Sequence, residues 1–439
     1  MAKRTDYPRF KESIIQETLA SGMRIVILPK PGFVRKSATL VVPFGSLSHR
    51  VKLDCENKQI VFPAGTAHFL EHMLFESTSE NIVRKFALLG ASVNAYTTYN
   101  RTAIYFSTTN GLSETLAVLF DMIMAVQFTK ESIEKEKSII EKEIQLYEDD
   151  PEQCLYYDML NLMYPFHPIR FDTTGTKTSL KEITTTILKQ AFDAFYHPQA
   201  MVLVLSGDFD HDSTLASIQN HPLNQNQKPF LRPEVLLEED IERKDHDLTV
   251  NFDLMSDLVL AGVKMVPLKT ADEAEITLEE IKLNLLLDNL YGKASPAFKK
   301  LQAAKIVNNA FDIGVACDRS FAYATLFTET KSSPKTISVF KEMIHGTKNA
   351  AISAEYFEIQ KRKLLGNFIQ VFDSVSRANA MLAEYCLRGV DVFRLFGDIE
   401  HLTVADLEGL KTYFAEGAIT TVNYLRHEKS GKSSRGRCV

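Results

Sequence analysis

Several things are missing from this 439-residue sequence, and each absence excludes a class of function. No apolar run approaches the roughly 20 residues that a bilayer-spanning helix needs. The opening MAKRTDYPRF has no apolar stretch of the kind that forms the core of a signal peptide. Positive charge is not in surplus: 50 Lys and Arg against 56 Asp and Glu leave −6, so no broad basic field invites nucleic acid. Cysteine is scarce and scattered. Cys55, Cys154, Cys317, Cys386 and Cys438 are odd in number and contain no C-x-x-C spacing, which speaks against a disulfide scaffold and against cysteine-held zinc. What is present, 45% hydrophobic and 24% charged residues, describes an ordinary globular protein long enough for two domains, expected in the cytoplasm.

Within that ordinary composition one stretch stands out. Residues 64–76, AGTAHFLEHMLFE, hold His68, Glu71 and His72 as H-x-x-E-H inside a helical pattern. Positions four apart share a helix face, so both imidazoles can converge on one metal ion while Glu71 reaches a water bound to it. This is the inverted form of the zinc-protease helix. By itself a five-residue match equally suits two partly buried histidines beside a surface glutamate. The surroundings must decide.

Residues 130–150, KESIEKEKSIIEKEIQLYEDD, form a charged helix whose phase sorts its carboxylates. Ile133, Ile140, Ile144 and Tyr147 mark the core-facing stripe, and Glu136 and Glu143 fall on its edge two turns apart. Glu141 and Glu148 fall well off it. A carboxylate aimed at an apolar face needs a partner. Salt bridges at a helix edge would serve, and the helix alone favours them; a metal is the other candidate. A catalytic zinc takes three protein ligands and leaves a fourth position to water. His68, His72 and Glu143 complete such a set, with Glu136 placed to orient a ligand or touch substrate.

The remaining elements read as strands, helices, a hairpin and more helices: an α+β chain with a mainly antiparallel sheet. Strands are expected at GMRIVILPK and KSATLVVPFGS, then a polar loop over 46–63. The hairpin is SVNAYTTYNRTAIYFSTT, and a helix over 179–196 has Ser179 as its N-cap. His167 and His197 each precede a proline and are read as structural.

Taken together, GTAHFLEHMLFE, NAYTTYNRTAIYF, EKSIIEKEIQLYEDDP and FYHPQAMVLVLSGDFD, in that order over about residues 20–210, resemble the pitrilysin/insulinase family of zinc metallopeptidases. The resemblance is nearest to the small bacterial dimeric members related to mitochondrial processing peptidase. It implies two similar α/β-roll domains, one Zn2+ per chain on His68, His72 and Glu143, Glu71 as general base and a supporting catalytic role for Glu136. It also implies that NAYTT is a sheet edge along which substrate adds as a strand. Asn94, Ala95 and Tyr96 would then touch substrate, since an exposed edge binds backbone with little regard to side chains. On composition alone the hairpin could equally just close the sheet.

The expected domains are 1–220 with the metal, a linker at 221–247, a second homologous domain at 248–427 without H-x-x-E-H, and a flexible basic tail at 428–439. In the family an Arg and, seven residues on, a Tyr hold the substrate backbone and developing oxyanion. Gln302 and Asn309 stand there instead. The expectation is a peptide-cleaving zinc endopeptidase whose heterodimeric, metal-free partner supplies that pair, a homodimer being the other arrangement. The competing reading is a non-catalytic scaffold or peptide-binding subunit. Neither nucleic-acid binding nor stable membrane insertion is expected.

Overall fold

The computed structural model describes residues 3–53, 58–76, 81–225, 230–237 and 242–426. The expected basic tail, and residues 226–229 and 238–241 of the expected linker, lie outside them. The first half supplies β1 (Lys3–Tyr7), β2 (Glu12–Thr18), β3 (Arg24–Pro29), β4 (Lys36–Val42), β5 (Arg50–Leu53), β6 (Lys58–Val61), β7 (Ser92–Thr97), β8 (Thr102–Thr108), β9 (Val202–Gly207) and β10 (Glu234–Val235). The second half supplies β11 (His246–Phe252), β12 (Asp257–Lys264), β13 (Asp312–Cys317), β14 (Ala322–Thr330) and β15 (Ala418–Arg426).

Among the described residues one sheet runs β1-β2-β3-β9-β4-β8-β7 and another β11-β15-β12-β14-β13. In the first, every neighbouring pair is antiparallel except β3 with β9. In the second the single parallel pair is β11 with β15. The last five strands of the first sheet therefore match the second strand for strand. In each set of five the strand that comes last in sequence is inserted beside the one that comes first, β9 beside β3 and β15 beside β11. That strand must be apolar on both faces, and β9, VLVLSG, is buried at every position. These are two similar α/β rolls, as the family resemblance implies.

The compact units are not contiguous halves. One comprises Met1–Ile144, Phe171–Leu237 and Phe368–Phe393; the other comprises Gln145–Arg170, Glu238–Asn367 and Arg394–Val439. This differs from a simple division into 1–220 and 248–427, and the cause is one helix in each. Helix Val375–Arg388 packs on β4 and β9. Its Asn379, 1% exposed, donates from Nδ2 to the carbonyls of Ser37 and Val204 and accepts from the Thr39 hydroxyl. In the other unit, helix Pro151–Met163 packs on β12 and β15, and Asp158 accepts from the Tyr424 hydroxyl at 2.7 Å. A buried polar side chain with every partner in place fixes one register of helix on sheet.

Two local expectations are corrected. The stretch 46–63 is not simply a loop: β5 and β6 pair there, and β10, from the expected linker, adds to β5. The helix expected over 179–196 is two helices, Lys177–Glu182 and Thr185–Phe195. Its cap is Thr176, whose hydroxyl accepts the Ser179 N–H at 3.0 Å while the Ser179 hydroxyl accepts the Thr176 N–H at 2.9 Å. Ser179 is thus the inner partner of a capping box, not the cap. Cys317 and Cys386 are free, whereas Cys154 is disulfide-bonded; one bond is not a disulfide scaffold. Among the described residues no helix is long and apolar enough to cross a membrane.

Candidate metal centre

The motif helix, Thr66–Glu76, is rooted in the core by Phe69, Leu70, Met73 and Leu74, each 0% exposed. Its start is fixed by a close approach. Gly65 has φ +86°, and a Cβ there would lie 2.4 Å from the carbonyl oxygen of Thr174, so only glycine fits. With one face buried, the other presents His68 and His72, whose ring centroids lie 4.5 Å apart.

The second helix, Lys130–Glu148, buries Ile133, Ile140 and Ile144 as its phase dictates. Glu136 goes in with them, 4% exposed. The Glu143 side chain keeps 28% exposure, Glu141 is exposed and Glu148 half-buried. One oxygen of Glu143 lies 3.7 Å from His68 Nε2 and the other 3.7 Å from His72 Nε2. His68, His72 and Glu143 form the metal-competent group among the described residues, one ligand atom from each lying within 4.8 Å of the others.

Two imidazoles and a carboxylate are the donor chemistry zinc takes in catalytic sites. Ligand atoms bound tetrahedrally at ~2.0–2.2 Å lie about 3.4 Å apart, close to the 3.7 Å that separates Glu143 from each imidazole. The tautomer of His72 is also set. Its Nδ1 lies 2.7 Å from Glu136 Oε1, so Nδ1 carries the proton and the Nε2 lone pair faces Glu143. His68 is held neutral by burial, then by neighbouring His72, its pKa pushed down to about 3. Its buried Nδ1 has no hydrogen-bond partner among the described residues. For His72 burial disfavours the charge, but Glu136, Glu143 and Glu71 outweigh it and raise the pKa. The residues present fit a zinc ion.

Glu71, 9% exposed, sits beside this group without joining it. Burial raises its pKa, offset in part by a hydrogen bond from the Thr97 hydroxyl and by His72. A cavity of about 670 Å³ opens here, lined by Glu71, His72, Phe75, Val93, Asn94 and Ile139, among others. Asn94, Ala95 and Tyr96 lie on β7, which among the described residues is an edge strand paired with β8 alone. The Asn94 Oδ1 accepts the Ala95 N–H at 2.9 Å, so that edge donor is already covered. The hairpin is seated over Gly45, where a Cβ would lie 2.5 Å from the carbonyl oxygen of Thr98. Sequence reasoning missed Thr97, because a threonine in a strand carries no signal until its neighbour across space is known. Gln302 and Asn309 are exposed and bonded to each other, Gln302 Nε2 donating to Asn309 Oδ1 at 3.0 Å.

In comparisons with known proteins, residues 36–177 match the family described as insulinase (peptidase family M16), and residues 182–364 match the peptidase M16 inactive domain. The uncharacterized zinc protease YmfH of Bacillus subtilis (strain 168) is 30% identical over 417 residues, 93% of this chain and 96% of that protein. Among solved structures, an M16-like peptidase from Alicyclobacillus acidocaldarius superposes with TM-score 0.87 at 26% identity, covering 96% of this chain and 100% of that one. A protease from Helicobacter pylori gives TM-score 0.80 at 18% identity, covering 94% and 99%, and shows the shared fold.

Proposed function

The chain belongs to the insulinase family of peptidases, family M16, and from that premise we propose that it is a zinc-dependent endopeptidase acting on peptides or short unfolded segments. The observation that carries the proposal is the convergence of His68, His72 and Glu143 beside the buried carboxylate of Glu71. Zinc held by those three side chains would make its water acidic and polarise the scissile carbonyl. The protein's own groups do the rest. β7 holds the substrate as an added strand, with Asn94, Ala95 and Tyr96 against its backbone. Glu71 takes the proton from water as the oxygen–carbon bond forms and returns it to the amine nitrogen as the carbon–nitrogen bond breaks. Glu136 keeps the His72 ring oriented.

The partner in this reading is a related, metal-free subunit that supplies an Arg and a Tyr. The mutual hydrogen bond of Gln302 and Asn309 supports it, since neither offers a cation or a phenol to substrate. The test of the enzymatic reading is Glu71→Gln, assayed for zinc content and peptide cleavage. Retained zinc with lost cleavage is expected. Cleavage at the wild-type rate would overturn the reading. A wild-type chain that binds zinc and peptide without turnover, alone and with any co-purifying subunit, would make it a scaffold.

A further inference from the structure

Resting on that reading, we propose that Thr97 is the positioning residue for Glu71: its hydroxyl pins one carboxylate oxygen and leaves the other as the proton acceptor. Thr97 is the last residue of β7. Its Oγ1 donates to Glu71 Oε2 at 2.6 Å, and among the described residues no other hydrogen bond reaches Glu71. The direction of that bond follows from counting protons. Thr97 is paired with Thr102 across the hairpin, their hydroxyl oxygens 3.3 Å apart. Thr102, 0% exposed, donates to the carbonyl of Phe44 at 2.8 Å. A carbonyl only accepts and a hydroxyl has one proton, so the Thr102 proton is committed there. The Thr97 proton then chooses between a hydroxyl at 3.3 Å and a carboxylate at 2.6 Å, and the shorter, charge-assisted bond wins.

Two consequences follow for the reaction. With Oε2 held, Oε1 is the oxygen that receives the water proton when the oxygen–carbon bond forms, and it releases that proton to the departing amine. Thr97 keeps its own proton throughout, so it is a positioning group and not an acid. The strand that offers its edge to substrate also holds the base. Substrate register on β7 and the aim of Glu71 are therefore set by one element, Thr97 lying three positions after Asn94.

The test uses the full chain, with any partner that co-purifies, and compares Thr97→Val, Thr97→Ser and Glu71→Gln on a quenched-fluorescent peptide that the wild type cleaves. Valine keeps the β-branched shape and removes the donor; serine keeps the donor. The expected result for Thr97→Val is a kcat lower by roughly ten- to hundredfold, the scale of a hydrogen bond to a charged group. KM and zinc content stay within about twofold, and Thr97→Ser recovers most of kcat. A second readout needs no turnover: the carboxylate infrared band removed by Glu71→Gln should shift in zinc-free Thr97→Val and return in Thr97→Ser. Should Thr97→Val not fold, Thr97→Ala against Thr97→Ser reads the same contrast. Wild-type kcat in Thr97→Val with Glu71→Gln inactive overturns the role of Thr97 and leaves the peptidase reading standing. Loss of zinc in step with kcat, or an equal loss in Thr97→Ser, also overturns it. Full activity in Glu71→Gln removes the premise and the inference together.

Discussion

Glu71, Glu136 and Glu143 are three carboxylates beside two imidazoles, and their surroundings suit them to the three different tasks proposed for them. Glu136 is nearly buried and touches His72 Nδ1, so it can orient the ring but cannot reach the ligand face. Replacing it with alanine should weaken zinc binding by about 10–100-fold, the usual size of an outer-shell effect, as measured by competition with a chelator. Glu143 spans both Nε2 atoms, whereas Glu141, two residues earlier, points to solvent. Zinc content by mass spectrometry should therefore collapse in Glu143→Ala and hold in Glu141→Ala; the opposite pattern would refute the assignment. Glu71 contacts neither Nε2 and has a raised pKa, which suits a base. Glu71→Gln should lower kcat by about 10²–10⁴-fold with zinc retained.

At the scale of elements, side-chain caps decide where helices start, and one of them carries a pH signature. The capping box of helix Val404–Glu408 has both the N–H and the hydroxyl of Thr403 donating to Asp406 at 2.7 Å. The Thr403 hydroxyl, then its N–H, holds the Asp406 pKa below the ordinary 3.8. A depressed folded pKa contributes stability above the unfolded value that is lost as pH falls through the folded one. Asp406→Ala should thus cost about 1 kcal/mol or less near neutrality, this carboxyl being largely solvated. The gap between the two melting temperatures should close once pH drops well below 3.8. A gap that persists in acid would mean packing, not the carboxylate, is responsible.

At the scale of the whole molecule, each compact unit draws one helix from the other half of the sequence. Val375, Ala378, Leu382 and Ala383 on helix Val375–Arg388 are all within 2% of fully buried. Burying a Val or Leu side chain is worth about 1.5–3 kcal/mol, so losing this helix removes a sum comparable to a domain's entire stability of about 5–15 kcal/mol. A fragment of residues 1–237 should therefore show no cooperative thermal transition by circular dichroism. Adding a peptide of residues 368–393 should restore one. The proposed partner belongs to this scale too: co-purification from the native source should bring a metal-free homologue carrying the Arg and Tyr. Efficient cleavage by the purified chain alone would refute that partner.

The sequence alone establishes the motif helix and the phase that sets both Glu136 and Glu143 at the edge of the apolar stripe. These follow from local periodicity, which is a property of neighbouring residues. It mistook Ser179 for a cap, since a serine at the first or the fourth position of a capping box looks alike in one dimension. It read 46–63 as a loop because β5 and β6 are only four residues each, too short to show a clear alternation, and β10, some 180 residues away, leaves no local trace. Folding is what brings helix Val375–Arg388 over β4 and β9 and points the one proton of Thr97, unremarkable in its strand, at Glu71. Contacts between residues far apart in sequence are set by packing and by which donor finds which acceptor, and both exist only once the chain has folded.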